Sequence, residues 1–166
     1  MYVKVNSEKD KDIIVKIWID ADGCPVAVRE IIYRAAKRKE IETVLVANRV
    51  IDAPSSKWLS SIVVSSGADV ADDWIAQRVE PQDIVITADI PLAARVVESG
   101  ATGIGHRGQL YTEENVRERL SMRDFMHDLR EMGVQTGGPS SFGPRDKQKF
   151  ANALDKLLTA RQRAAE

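Results

Sequence analysis

Apolar positions along this chain follow two rhythms that alternate. The stretch "IIVKIWID" (13–20) is dense in β-branched and aromatic residues and predicts a buried strand. The next, "PVAVREIIYRAAKRK" (25–39), puts Val28, Ile31, Ile32 and Ala35 on one face of a helix. Pro25 suits that helix's first turn, and Lys37, Arg38 and Lys39 suit the negative end of its dipole. The alternation continues. "TVLVAN" (43–48), "SIVVSS" (61–66) and "DIVITAD" (83–89) predict strands, and "ATGIG" (101–105) a short fifth one. "ADVADDWIAQRV" (68–79) and "IPLAARVVESG" (90–100) predict helices, the second closed by Gly100.

Strand and helix in alternation predict an α/β fold, a three-layer α/β/α sandwich with a mainly parallel central sheet. Ligands bind such sheets at the carboxyl ends of strands, where strand order reverses. Asp20 and Asp89 sit at two such ends, and they face one crevice if strands one and four are neighbours. The last third changes character. "TEENVRERL" and "SMRDFMHDLREMG" read as helical, with Val116, Leu120, Phe125, Met126 and Leu129 as inward positions. A glycine- and proline-rich loop, "VQTGGPSSFGPRD" (134–146), leads to a closing helix, "KQKFANALDKLLTARQR", with Phe150, Leu154, Leu157 and Leu158 on one face. That helix is expected to pack on the sheet. The expected organisation is a polar lead-in over 1–12 and one α/β domain over 13–166 that includes a C-terminal helical extension.

The 166 residues suffice for one domain with a real core. With 24 basic and 25 acidic side chains, net charge gives no argument about a nucleic-acid partner. No apolar run approaches the ~20 residues needed to span a bilayer, and "MYVKVNSEKDKD" is too polar for a secretory signal. One cysteine forms no internal disulfide. These features fit a cytoplasmic protein with no membrane partner.

The candidate chemistry is acidic. Asp20, Asp22, Asp69, Asp72, Asp73 and Asp89 come from three segments, each at a strand end or a helix start. Singly, each has a plain structural role as a helix cap or a first-turn acid. Together they repel one another unless a cation joins them, and Mg²⁺ or Mn²⁺ prefers such oxygen donors. Asp20, Asp22, Asp73 and Asp89 are the candidate metal ligands, and Asp20, Asp72, Asp73 and Asp89 the candidate catalytic acids. The stretch "IDADGC" also looks like the first motif of haloacid dehalogenase-like phosphatases. In that reading Asp20 attacks phosphorus and Asp22 is its acid and base. The later lysine and strand-end acid pair of that family have no counterpart here, because Asp72 and Asp73 fall inside a predicted helix.

In order, "IDADGCPV", "ADDWIA", "ITADIPLA", "HRGQLYTEENV" and "TGGPSSFGPRDKQKF" resemble the YaiI/YqxD family of bacterial proteins, collinearly from about Ile17 to Leu158. That family is regarded as PIN-like and has no established activity. The resemblance implies the PIN nuclease acids at the end of strand one, in a middle helix and at the end of strand four. Carried over, these are Asp20, Asp72 or Asp73, and Asp89, with Thr87 in the fourth-strand "TAD". Asp22 is a feature of the family itself. PIN sites often carry a further acid soon after the fourth-strand aspartate, and here the next is Glu98. The implied function is a Mg²⁺- or Mn²⁺-dependent nuclease acting on RNA. The competing class is a non-catalytic protein that binds nucleic acid or nucleotides.

Candidate nucleic-acid contacts are Asn48, Lys57, His106, Arg107, Arg145 and Lys147. Arg49, Ser55 and Ser56 follow strand two and are placed with Asn48 and Lys57 at the same end of the sheet. The "GGPSSFGPRDKQKF" loop offers backbone amides and basic side chains to an anion. Each of these also has a reading as solvated surface. Cys24, at a helix start, reads as a buried structural thiol. Trp18 and Trp74 read as core, which leaves Trp58 as the tryptophan placed near a loop.

Overall fold

A computed structural model describes residues 14–138 and 141–165. The lead-in over 1–12, the start of the first predicted strand at Ile13, and Pro139 and Ser140 of the glycine-rich loop lie outside the described residues.

Five parallel strands form one sheet in the order β3-β2-β1-β4-β5. They are β1 (Ile17–Asp20), β2 (Thr43–Ala47), β3 (Leu59–Val63), β4 (Ile84–Ile86) and β5 (Thr102–Ile104). The helices are α1 (Val26–Lys39), α2 (Val70–Ala76), α3 (Ile90–Glu98), α4 (Glu113–Glu131) and α5 (Pro144–Ala165). Strand residues alternate between two cores, as the two-residue period of a strand requires. Ile17, Ile19, Leu45, Ile84 and Ile86 pack with Val28 and Ile32 of α1 and with Phe150, Leu154 and Leu158 of α5. Trp18, Val44, Val46 and Val85 point the other way, onto Ile75 of α2 and Leu92 and Val96 of α3. The result is the expected three-layer α/β sandwich. Each fully buried aliphatic or aromatic side chain contributes roughly 1.5–3 kcal/mol. α4 forms an outer shell on α3, where Val116 and Leu120 join Ala93, Val97 and Tyr111.

The amino-terminal ends of the central strands are pinned by Asp83. Its carboxylate accepts from Trp18 Nε1 at 3.0 Å, Lys16 N at 3.1 Å and Glu80 N at 2.9 Å. This buried acid lies at the opposite end of β4 from Asp89 and has a structural role. Trp18 and Trp74 meet edge to face, with centroids 5.7 Å apart, and Trp18 is buried.

Several boundaries differ from those expected. β3 begins two residues earlier than its β-branched run suggests, because Leu59 takes its register from Thr43. It is an edge strand and half exposed, so hydrophobicity marks its bounds poorly. α2 has seven residues where twelve were expected, and it starts after Asp69, whose φ of 67° is left-handed. The two helical stretches after residue 112 are one helix, α4, started by a capping box between Thr112 and Asn115. α5 starts at Pro144, three residues before the expected helix. Phe125, expected to point inward, is 56% exposed, because α4 runs past the end of α3 beyond Leu120.

Candidate active site

Strand order reverses between β1 and β4, since β1's helix and strand β2 lie to one side of it and β4 lies to the other. Above that point a cleft of about 510 Å³ opens, lined by Asp20, Asp22, Asp69, Asp72, Asp89, Asn48 and His106 among others. This is where an open parallel sheet leaves a crevice between connections that diverge.

The first wall is the β1–α1 turn. Asp20 ends β1, and Ala21 N still donates to Val46 O at 2.9 Å. Gly23 takes φ 78°, which lets the chain turn into α1 within a few residues. Pro25 occupies the N-cap of α1, and no side chain caps that helix. Asp20 and Asp22 are therefore not its caps. Asp22 instead accepts from Asn48 N at 2.8 Å and stands 3.8 Å from Arg49 Nε, tying β1's exit to β2's exit.

The second wall is the β4–α3 turn. Thr87 Oγ1 donates to Asp20 Oδ2 at 2.8 Å and accepts from Asp89 N at 2.9 Å. Asp89 is the N-cap of α3 and accepts from Leu92 N at 3.0 Å. Tyr111 Oη donates to Thr87 O at 2.9 Å, so the strand-end residue is held from both its groups.

The third wall is α2. Asp72 is buried and hydrogen-bonds Asp89 side chain to side chain. Burial raises its carboxyl to about 7, with further upward pressure from Asp89 and Asp20, from that hydrogen bond and from Asp69. Asp20 rises to about 6, chiefly through burial, with Asp89 and Asp22 adding to the rise and the Thr87 hydrogen bond opposing it. The cleft thus holds a proton near neutrality that ordinary aspartates would have released.

Asp73, the neighbouring acid, turns out of the cleft and pairs with Arg95 of α3. Between the two candidates on this helix, Asp72 is the one brought to Asp20 and Asp89. Helical spacing explains it, since adjacent residues lie about 100° apart and cannot both face the crevice. Glu98 stays on the α4 side of α3, away from the acids.

The basic candidates scatter. His106 lines the cleft; burial lowers its pKa, and its Nε2 is buried without a hydrogen-bond partner. Arg107 donates to Asp146 Oδ2 at 2.9 Å, which also accepts from Gly143 N at 3.0 Å. That Gly143 bond first, and the Arg107 charge after it, hold the Asp146 carboxyl below its usual range. The His106–Arg107 turn is thereby tied to the start of α5. Gly108 completes the tie, because a Cβ there would meet Lys149 O at 2.6 Å. Arg145 and Lys147 are exposed on the first turn of α5 and do not line the cleft. Lys57 stands over the Trp58 ring, 4.8 Å from its centroid, two residues before the amino end of β3. Parallel strands force the β2–β3 connection back across the sheet, so Lys57, Ser55 and Ser56 lie at the opposite end from Asn48. Their expected placement beside Asn48 is corrected accordingly. Cys24 is buried and its thiol is pushed up to about 12 by that burial, as a structural cysteine would be.

Sequence reasoning missed Ser65 and Gly67, which line the cleft from the β3–α2 loop, and the Tyr111 brace under Thr87. Neither carried a signal, since the loop reads as generic turn chemistry and the tyrosine as core.

Among the described residues, no three Asp, Glu, His or Cys side chains stand together as a ready metal-ligating group. The donor set nevertheless suits a hard divalent cation. It consists of carboxylate oxygens, and the Asp20 and Asp72 carboxyls are held partly protonated, first by burial and then by the neighbouring acids.

Fold and site together define an all-parallel α/β protein with an acidic cleft at its topological switch point. Residues 18–160 match the family model described as "Uncharacterized BCR, YaiI/YqxD family". The chain is 54% identical to a UPF0178 protein of Marinomonas sp. (strain MWYL1), over 90% of this chain and 100% of that one. It is 57% identical to a UPF0178 protein of Shewanella baltica (strain OS223), over 86% and 95%. It is 54% identical to a UPF0178 protein of Dechloromonas aromatica (strain RCB), over 87% and 96%. The chain belongs to the YaiI/YqxD family. No solved structure matches it. Among the described residues, no helix is long and apolar enough to cross a membrane.

Proposed function

We propose that this chain is a PIN-like, divalent-metal-dependent nuclease of the cytoplasm that hydrolyses phosphodiesters in RNA. The observation that carries the reading is the meeting of Asp20, Asp72 and Asp89, from β1, α2 and the β4–α3 turn, in one cleft with two carboxyls raised toward neutrality. Acids from these three elements are what the resemblance to PIN nucleases implies. Asp20, Asp72 and Asp89, with Asp22 at the rim, would hold Mg²⁺ or Mn²⁺. Such an ion supplies a lowered water pKa and charge stabilisation at the phosphate.

The chain's own residues do the rest. Thr87 fixes the orientation of Asp20 and, through Asp89 N, the start of α3. The raised carboxyls of Asp20 and Asp72 give up their protons near pH 7, which frees their oxygens to hold the cation. His106 lines the cleft, and burial lowers its pKa, which keeps its ring neutral at that pH.

The test is cleavage of end-labelled single-stranded RNA by the wild type, Asp20→Asn and Asp72→Asn, in Mn²⁺, in Mg²⁺ and in chelator. Cleavage that needs the metal and falls about a hundredfold or more in each variant is the expected result. RNA left intact by the wild type in both metals sinks the reading.

One observation favours a second reading, a non-catalytic binder of nucleic acid or nucleotides. The acids are already satisfied by Thr87, by Leu92 N and by each other. That protein would bind RNA equally well in chelator and never turn it over. A phosphatase using Asp20 as nucleophile would instead hydrolyse small phosphate esters, and no lysine lines the cleft among the described residues.

A further inference from the structure

A second cavity, of about 470 Å³, lies beside the acidic cleft between α1 and the loop that follows β2. Arg29 and Tyr33, one helical turn apart on α1, line one side, and Arg49 and Asp52 line the other. Arg29 is only 9% exposed. Among the described residues it makes no ion pair, and its Nε is buried without a hydrogen-bond partner.

That state is costly. A guanidinium does not deprotonate inside a protein, and a buried charge is ordinarily paired. The Tyr33 side chain lines the same cavity, and the Arg29 guanidinium is the charged donor next to its buried hydroxyl. Burial raises the Tyr33 pKa, with the Arg29 guanidinium opposing the rise, so the hydroxyl keeps its proton. Guanidinium and hydroxyl therefore lean on each other, and among the described residues no carboxylate pairs with the Arg29 charge.

Arg49 connects this cavity to the cleft. It lines the cavity, and its Nε stands 3.8 Å from Asp22, which lines the cleft. Arg49 is exposed, so it can turn to a ligand in either space. Glu30 and Asp52 also border the cavity, but both are exposed and their charges are screened by water, whereas that of Arg29 is not.

We propose that Arg29, Tyr33 and Arg49 form a phosphate-binding pocket that takes a backbone phosphate of a nucleic-acid strand whose neighbouring phosphodiester lies at the acids. Guanidinium forks match phosphate oxygens in pairs, and a tyrosine hydroxyl adds a neutral donor. The choice of a nucleic-acid strand rests on the nuclease reading; the pocket's preference for a phosphoryl group rests on Arg29 and Tyr33 alone.

The experiment is done in chelator, where no cleavage is possible, so it separates the pocket from the nuclease reading. Fluorescence anisotropy follows a labelled ten-nucleotide single-stranded RNA on the full chain, with inorganic phosphate and a 5′-mononucleotide as competitors. The variants are Arg29→Gln, Arg29→Lys and Tyr33→Phe, each checked for a native melt. The expected result is RNA binding weakened about tenfold or more by Arg29→Gln and severalfold by Tyr33→Phe, with Arg29→Lys between Arg29→Gln and wild type. The salt dependence of log K falls by about one unit of slope in Arg29→Gln. Equal RNA affinity in the folded variants and the wild type overturns the pocket. No binding of RNA, phosphate or mononucleotide by the wild type overturns it as well. Arg29-dependent binding of inorganic phosphate, with RNA indifferent to the variants, overturns the nucleic-acid assignment.

Discussion

Thr87 and Asp20 are joined across the strand-order reversal by a 2.8 Å hydrogen bond from hydroxyl to carboxylate. The same hydroxyl accepts from Asp89 N, so one side chain sets the spacing of both strand-end acids. Thr87→Val keeps the shape and removes the hydroxyl, leaving Asp20 and Asp89 N short of a partner. The expected cost is about 1–3 kcal/mol in urea denaturation, with Thr87→Ser recovering most of it. The Asp20 pKa in Thr87→Val rises further, because the bond that opposes burial is gone. A Thr87→Val protein as stable as wild type, with an unmoved Asp20 titration by NMR, would show that the bond carries neither role.

The raised carboxyls fix the sign of a pH effect. Asp20 and Asp72 hold protons to about 6 and about 7 in the folded chain, against about 4 when unfolded. Between those values the native state binds more protons than the unfolded one, so these two groups make stability fall as pH rises. Their favourable effect is complete below about pH 4 and gone above about pH 7. Thermal melts without divalent metal should therefore decline from pH 5 to pH 8. Asp72→Asn should flatten that decline and be more stable than wild type at pH 8, by on the order of 1 kcal/mol. Melts that rise with pH over this range in the wild type contradict the arrangement.

A cation bound by the acids must displace those protons. Mn²⁺ binding by calorimetry should therefore release protons near pH 6.5, seen as a heat that varies with the ionisation enthalpy of the buffer. Affinity should rise from pH 6 to pH 8, and Asp72→Asn should lose most of the proton release. Mn²⁺ binding with the same heat in every buffer would separate the metal from these acids.

Much of this fold was legible, and the reason is the sheet. Central strands buried on both faces write themselves as dense apolar runs, as Ile17–Asp20 and Thr43–Ala47 do. The edge strand β3 does not, because half of it meets water and its register comes from Thr43. The acids at β1 and β4 could be read from chain position alone, since parallel strands all end on one side. Lys57 could not, because its side of the sheet depends on where a loop finishes crossing. Arg29 and Tyr33 went unnoticed because, in an amphipathic helix, a buried arginine and tyrosine look like the polar rim. Phe125 looked like core because periodicity reports a face and says nothing of whether another element covers it.

The choice between the adjacent acids of α2 gives the sharpest contrast. Asp72 is buried against Asp89, while Asp73 is exposed and paired with Arg95 on the surface. Asp73→Asn removes only a surface ion pair, so it should cost at most about 1 kcal/mol of stability and leave Mn²⁺ affinity within about twofold. Asp72→Asn should lower Mn²⁺ affinity at least about tenfold, although it makes the protein more stable at pH 8. That opposition, better folding with worse binding, is the signature of an acid held at a functional site against its own electrostatics. Calorimetry and melts on the same two samples measure both halves. If Asp73→Asn loses the metal and Asp72→Asn keeps it, the geometry of α2 is turned by one residue from the one described.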